Sequence, residues 1–170
     1  IIDETHEIAQ SIAILSYIEK LADLNPPNPI IAAKADAILQ SAQELFAPLN
    51  PTVNFAIGDD FLTKRDEMTP YLLSRFEDLD RALSSSGKKY FIDDVPRGCD
   101  FAAFHHLDLS KKLDKSLLTK FPRLERFVDD ITTIDTVGSY LDTRPELIDI
   151  SIAPKLVIEG VPHPTGIQKT

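Results

Sequence analysis

The sequence has a single cysteine, Cys99, so no internal disulfide can form and the fold must be held by packing. Tryptophan is absent and methionine occurs once. Only 6 residues are glycine, against 12 prolines. So few glycines disfavour a β fold rich in tight turns, and the long apolar periodicities favour helices punctuated by proline. Cations are also short, with 18 Lys+Arg against 27 Asp+Glu and a net charge of −9. That balance argues against a nucleic-acid binder, which carries a basic face. No run approaches the ~20 apolar residues of a membrane-spanning helix, and no signal peptide is visible. HExxH and CxxC spacings, a phosphate loop and GxSxG are all missing, so no metal site is expected. With 43% hydrophobic and 26% charged residues, the 170-residue chain can bury a core in one domain, or in one domain plus part of a second. It opens on Ile1 and not on methionine, and we expect sequence upstream of it.

The class read from the pattern is mainly α. Ile1-Ile2-Asp3 reads as the end of a strand and Glu7-Ile8-Ala9 as a second extended piece. From Gln10 the pattern turns helical. Ile12, Leu15, Ile18 and Ala22 make one stripe that Ile14 and Leu21 broaden, which predicts burial on more than one side. Asn25-Pro26-Pro27-Asn28-Pro29 stops this helix. A helix over Ile30 to Leu49 follows, with Pro48 and Pro51 expected to kink or end it. Thr69-Pro70 reads as the start of the next, an N-cap followed by proline at the first helical position. Its stripe is Leu72, Phe76, Leu79 and Leu83, and Ser84-Ser85-Ser86-Gly87 ends it. Further helices are expected from Gly98 to Leu109, with Phe101, Phe104 and His105 on one side, from Pro122, and from Ile134 to Asp142, burying Val137 and Leu141. The tail from Glu146 holds Pro154, Pro162 and Pro164, which forbid a long helix. We expect it to lie extended across the helices or a neighbouring chain, with Leu156 and Ile158 turned inward.

Chemistry is sparse. His105 and His106 are adjacent on a helix, point about 100° apart and make a poor metal pair, so both read as structural. Cys99 sits just inside a helix N-terminus, where a thiolate can be stabilised, but Asp100 opposes a second negative charge and a buried, inert thiol is expected. Asp59-Asp60, Asp93-Asp94 and Asp129-Asp130 read as solvating helix ends and faces. Gln10-Ser11 stands where an extended piece becomes a helix, whose first N–H groups are free to bind an anion. Those two residues make either an ordinary cap or a seat for a carboxylate.

The order of motifs resembles the glutathione S-transferase family. Glu7 to Ile18 is similar to the family's QS-x-AI-x-x-YL segment, which ends the thioredoxin-like N-terminal domain. Gly87-Lys88-Lys89-Tyr90-Phe91-Ile92 followed by Asp100-Phe101 resembles the stretch that opens a central helix of the C-terminal domain. Phe121-Pro122-Arg123-Leu124, Val137, Tyr140-Leu141 and Arg144-Pro145 resemble its closing pattern. The match covers about residues 7 to 145, and the spacing around Asp36-Ala37-Ile38 resembles the sigma-like, prostaglandin-D-synthase-like branch. The resemblance implies the end of a thioredoxin-like domain over 1–24, a linker over 25–29, an all-helical domain over 30–145 and an extended tail over 146–170.

It further implies an enzyme that binds glutathione as co-substrate and conjugates its thiolate to a small electrophile. Gln10 and Ser11 would hold the γ-glutamyl end. Glu44 falls near the position of an acid that reaches the glutathione amine from a partner subunit. The electrophile would lie around Leu45, Phe46 and Leu49. The activator of the thiol belongs to the first strand of the thioredoxin-like domain, so no catalytic residue is expected here. A homodimer or larger assembly, in the cytoplasm by default and without a membrane span, is implied as well. Asp100 is expected buried, accepting backbone N–H bonds. Arg97 departs from the family, standing where a Ser or Thr cap belongs, and is expected to point outward. Arg97 and the long tail favour a competing reading, a non-catalytic adaptor or structural subunit of the same fold. A helical bundle without a ligand is the third.

Overall fold

The computed structural model describes residues 6–56 and 58–144, together with three short strands in the tail. The helices are α1 (Ser11–Leu21), α2 (Pro29–Gln43), α3 (Phe46–Phe55), α4 (Gly58–Ser86), α5 (Gly98–Leu113), α6 (Pro122–Thr132) and α7 (Asp135–Thr143). The strands are β1 (Ile148–Asp149), β2 (Lys155–Ile158) and β3 (Val161–Pro164). No described helix is long and apolar enough to cross a membrane.

Helix α2 starts where local chemistry directs. Asn28 Oδ1 accepts the N–H groups of Ile30 and Ile31, at 2.9 and 3.2 Å, and Pro29 takes the first helical position, where no N–H is needed. The expected single helix to Leu49 is instead two. The break falls at Glu44-Leu45, and Pro48 and Pro51 both lie inside α3. Pro48 is tolerated because the N–H groups of a helix's first turn have no intrahelical acceptor.

The largest correction concerns α4. It is a 29-residue helix starting at Gly58, and Thr69-Pro70 lies in its middle. The buried stripe runs straight through the proline: Phe61, Met68, Leu72, Phe76, Leu79 and Leu83. Asp59 and Asp60 occupy the first turn, where the helix dipole favours them, and Asp60 pairs with Lys64 at 2.8 Å. Gly87, at φ +65°, supplies the left-handed residue that terminates α4.

One core fills the space between α2, α3, α4, α5 and α6. Its fully buried side chains include Leu45, Leu49, Phe76, Leu107, Leu124 and Phe127. A smaller cluster of Ala35, Leu39, Cys99 and Ala102 receives Ile12 and Leu15 of α1. Helix α6 behaves as expected and buries Leu124, Phe127, Val128 and Ile131. Helix α7 does not: Val137 and Leu141 are only half-buried against the main core.

Helix α1 also departs from expectation. Its inward stripe is Ile12, Leu15 and Glu19, spaced three and four apart, and Glu19 is its only buried residue. A second apolar stripe, Ile14, Ile18 and Leu21, faces outward, with Ile18 at 50% and Leu21 at 70% exposure. Glu7-Ile8-Ala9 forms no strand, and Ile1-Ile2-Asp3 lies outside the described residues.

In the tail, β1, β2 and β3 pair antiparallel in sequence order. Leu156 lies opposite His163, and Ile158 opposite Val161. Leu156-Val157-Ile158 is thus extended as expected, while the direction of its side chains lies outside the described residues.

Candidate functional site

The start of α1 has unusual backbone. Gln10 sits at φ 74° and ψ 121°, a positive φ that a side chain rarely adopts and that costs about 1–3 kcal/mol. No side chain caps the helix, although the Gln10 carbonyl accepts the Ile14 N–H at 3.0 Å. Gln10 and Ser11 are both exposed. The result is an open helix N-terminus with an amide and a hydroxyl beside it, which suits a carboxylate.

Helix α1 leans on the start of α5. Glu19 crosses Gly98 so closely that any Cβ there would collide with its side chain. Burial is the main cause that raises the Glu19 carboxyl above the usual range, and the Asp36 charge adds to it. Within α5, Asp100 is fully buried. Its Oδ1 accepts the Phe91 N–H at 2.9 Å and its Oδ2 the Arg97 N–H at 2.7 Å. The first of these ties the preceding loop to the helix, and the second is one half of a capping box. The other half is replaced: the Asp100 N–H donates to the Arg97 carbonyl at 3.0 Å, because a guanidinium cannot accept. Burial pushes Asp100 up to about 6, against the downward pull of the two N–H bonds. Arg97 does not simply point outward. Its guanidinium turns back onto Asp93, at 2.8 and 3.1 Å, and is half-buried.

Cys99 is buried, and burial, Asp100 and Glu19 all raise its thiol pKa, so it is the inert cysteine expected. The histidines divide. His105 is exposed, whereas His106 is 3% exposed and its Nδ1 has no partner. Burial pulls His106 down to about 4, so it is a neutral core residue at pH 7. Phe104 and not His105 joins the core on the inward face of α5. No group of three or more His, Cys, Asp or Glu capable of holding a metal occurs among the described residues.

Glu44 lies just past the end of α2 with its carboxylate on Arg75 of α4, Nη1 to Oε2 at 2.9 Å. The Tyr71 hydroxyl approaches the Glu44 carbonyl at 3.5 Å. Among the described residues, no hydrogen bond or ion pair joins Glu44 to Gln10 or Ser11. Of the three residues expected at the electrophile, Leu45 and Leu49 are fully buried in the main core. Only Phe46 is open, at 52%, with its ring edge-on to His106 at 6.4 Å. Sequence reasoning missed Glu19, although its spacing from Ile12 and Leu15 places it on their face of α1.

The helical arrangement matches solved structures. The Pi-class glutathione S-transferase of Onchocerca volvulus superposes with a TM-score of 0.75 at 23% identity, over 84% of this chain and 68% of that one. In sequence, glutathione S-transferase 2 of Onchocerca volvulus is 28% identical over 142 residues, covering 84% of this chain and 68% of its own length. Hematopoietic prostaglandin D synthase of Gallus gallus is 30% identical over 146 residues, 82% of this chain and 68% of the relative. The chain spans 60–68% of the length of the curated relatives it matches. The family model described as "Glutathione S-transferase, C-terminal domain" matches residues 54–144, from α3 to the end of α7. The helical core, the buried Asp100 at the head of α5 and this match together place the chain in the glutathione S-transferase family.

Proposed function

We propose that this chain carries part of the glutathione seat and the helical domain of a glutathione transferase. The observation that carries the reading is the strained backbone of Gln10 at an uncapped helix N-terminus. Strain of this kind persists where the surroundings over-determine it and gathers at binding and catalytic sites. In this reading Gln10 and Ser11 receive the γ-glutamyl carboxylate of glutathione. Glu44 serves the amine of glutathione bound to a partner subunit, with Arg75 holding its carboxylate in place. The electrophile lies on the open face of Phe46, and the group that activates the thiol comes from outside residues 1–170. Activation means hydrogen bonding to the thiolate, which lowers the thiol pKa.

The outward stripe of Ile14, Ile18 and Leu21 supports assigning residues 1–24 to the end of a thioredoxin-like domain, since an apolar patch on a helix marks a contact surface. Residues 25–29 are then the linker, 30–145 the helical domain and 146–170 the tail. The identity to hematopoietic prostaglandin D synthase supports the sigma-like branch. Arg97, which counted toward a non-catalytic adaptor, leaves the Asp100 half of the capping box intact and so favours neither reading.

Calorimetric titration of glutathione into the full-length protein tests the proposal. Ser11→Ala should weaken binding by about 0.5–1.5 kcal/mol, the range of one hydrogen bond. Equal affinity in both proteins rejects the seat, and no binding by either favours the adaptor.

A further inference from the structure

We propose that the cleft between the α4–α5 connection and α6 binds a small phosphate-bearing anion, independently of the glutathione seat. The cleft has a volume of about 420 Å³ and is lined by Lys88, Lys89, Arg123, Arg126 and Asp130. Such a volume lies within the usual span of small-molecule sites. Four cations face one carboxylate there, although the whole chain carries −9.

Among the described residues, the two arginines of the cleft are not paired with a carboxylate. The Arg123 guanidinium is fixed through Nη2, which donates to the carbonyls of Leu83 at 2.9 Å and Lys88 at 2.8 Å. Both acceptors are main-chain atoms, no carboxylate pairs with it among the described residues, and its Nε is buried with no partner. Arg126 follows one turn later on α6 and makes no ion pair among the described residues. The two lysines are paired, Lys88 with Asp94 at 3.2 Å and Lys89 with Asp130 at 3.7 Å.

Asp94 and Asp130 offset the two lysines, which leaves the charges of Arg123 and Arg126 for an added anion to balance. Arg123 is held by backbone before any ligand arrives, so little ordering remains on binding. A tetrahedral phosphate offers acceptors in several directions, matching a guanidinium fork and ammonium groups that approach from two separate elements. A planar carboxylate meets fewer of them. The cleft's volume admits a small phosphate-bearing molecule rather than a nucleic-acid strand.

The probe is pyrophosphate, titrated calorimetrically into the protein at low ionic strength, with malonate as the carboxylate control. We expect saturable binding of pyrophosphate, weakened by added salt and tighter than that of malonate. Arg126 is exposed, so its variants should fold, and far-UV circular dichroism verifies this. Arg126→Glu should weaken binding by about tenfold or more, a loss of about 1.4 kcal/mol, while Arg126→Lys should retain most of it. Absence of saturation overturns the site. So does equal affinity in Arg126→Glu. Malonate binding as tightly as pyrophosphate overturns the phosphate assignment.

Discussion

Glu19 of α1 lies across Gly98 at the first position of α5, in space that any larger residue at 98 would claim. Together with the packing of Ile12 and Leu15 on Ala35, Leu39, Cys99 and Ala102, this approach sets how α1 meets α5. The φ of Gly98 is not in the left-handed region, so the constraint is steric and not conformational. Gly98→Ala should therefore destabilise the protein by about 1–3 kcal/mol, the usual cost of overpacking. Glu19→Ala removes the obstacle, so the double variant should recover most of that loss. Urea midpoints of the two single variants and the double give the coupling directly. Simple additivity would show that Glu19 does not set the limit at Gly98.

Asp100 should be sensitive to substitution, being fully buried. Asp100→Ala leaves the buried N–H of Phe91 and the N–H of Arg97 without their acceptors, a loss of about 2–4 kcal/mol. The sign of its pH dependence follows from the raised pKa. Below about 3.8 both folded and unfolded forms are protonated, and the group contributes no pH effect. Between 3.8 and about 6 the unfolded chain ionises while the folded one does not, so stability falls as pH rises through this window. The difference between wild type and Asp100→Ala should then be larger at pH 4 than at pH 7, by on the order of 1–3 kcal/mol. Denaturation curves at the two pH values check this, and a smaller difference at pH 4 would reverse the sign.

Arg97→Ser exchanges an ion pair for a hydroxyl cap. The pair with Asp93 is partly exposed and worth about 0–1 kcal/mol, whereas a capping hydroxyl contributes about 0.5–2 kcal/mol. A net gain of up to about 1 kcal/mol is expected in the thermal midpoint. A loss would mean that the guanidinium's contact with Asp93 holds the loop before α5 in place.

The sequence was most legible where short-range chemistry and burial agree. Asn28-Pro29 starts α2, Gly87 ends α4, and Leu124, Phe127, Val128 and Ile131 of α6 lie inward as their spacing requires. Asp100 was readable from its place in the family pattern. The failures share one cause, in which tertiary packing overrides a local signal. Thr69-Pro70 has the chemistry of a helix start, yet Phe61 and Met68 continue the stripe of Leu72 upstream and keep the helix whole. In α1 two apolar stripes compete, and spacing alone does not say that the one containing a glutamate is the inner one. At the candidate seat, residue types pointed to Gln10 and Ser11, but the positive φ of Gln10 is a backbone property that no side-chain pattern encodes.

His106 should titrate with the opposite sign to Asp100. Burial lowers its pKa from 6.5 to about 4, so its protonated form is disfavoured in the folded state. Its contribution to stability is intact above 6.5 and is lost as pH falls toward 4. Its Nδ1 is also a buried polar atom without a partner. His106→Leu removes both liabilities at a site walled by Phe46 and the core. The variant should be more stable than wild type by about 1–2 kcal/mol at pH 7 and by a larger margin at pH 5. Thermal melts at both pH values test this, and a margin that shrinks on acidification would contradict the assignment.

Pro70 gives the sharpest test of the long α4. Were Thr69-Pro70 the beginning of a helix, Thr69→Ala would remove a cap at a cost of about 0.5–2 kcal/mol, and Pro70→Ala would be neutral or harmful. The structure predicts the reverse order. Thr69 Oγ1 donates to the Arg65 carbonyl at 2.8 Å, a back-bond within a helix and not a cap, so Thr69→Ala should change stability little. Pro70 is exposed in the helix interior, where it withholds the N–H that the Asp66 carbonyl would accept. Proline in such a place is about 3 kcal/mol less favourable than alanine. The surrounding stripe from Phe61 to Leu83 already holds the helix together, so part of that penalty has been relaxed. Pro70→Ala should therefore raise stability by about 1–3 kcal/mol, seen as a higher thermal midpoint with unchanged helix content by circular dichroism. A lower midpoint for Pro70→Ala, together with a marked loss for Thr69→Ala, would restore a helix start at Thr69-Pro70.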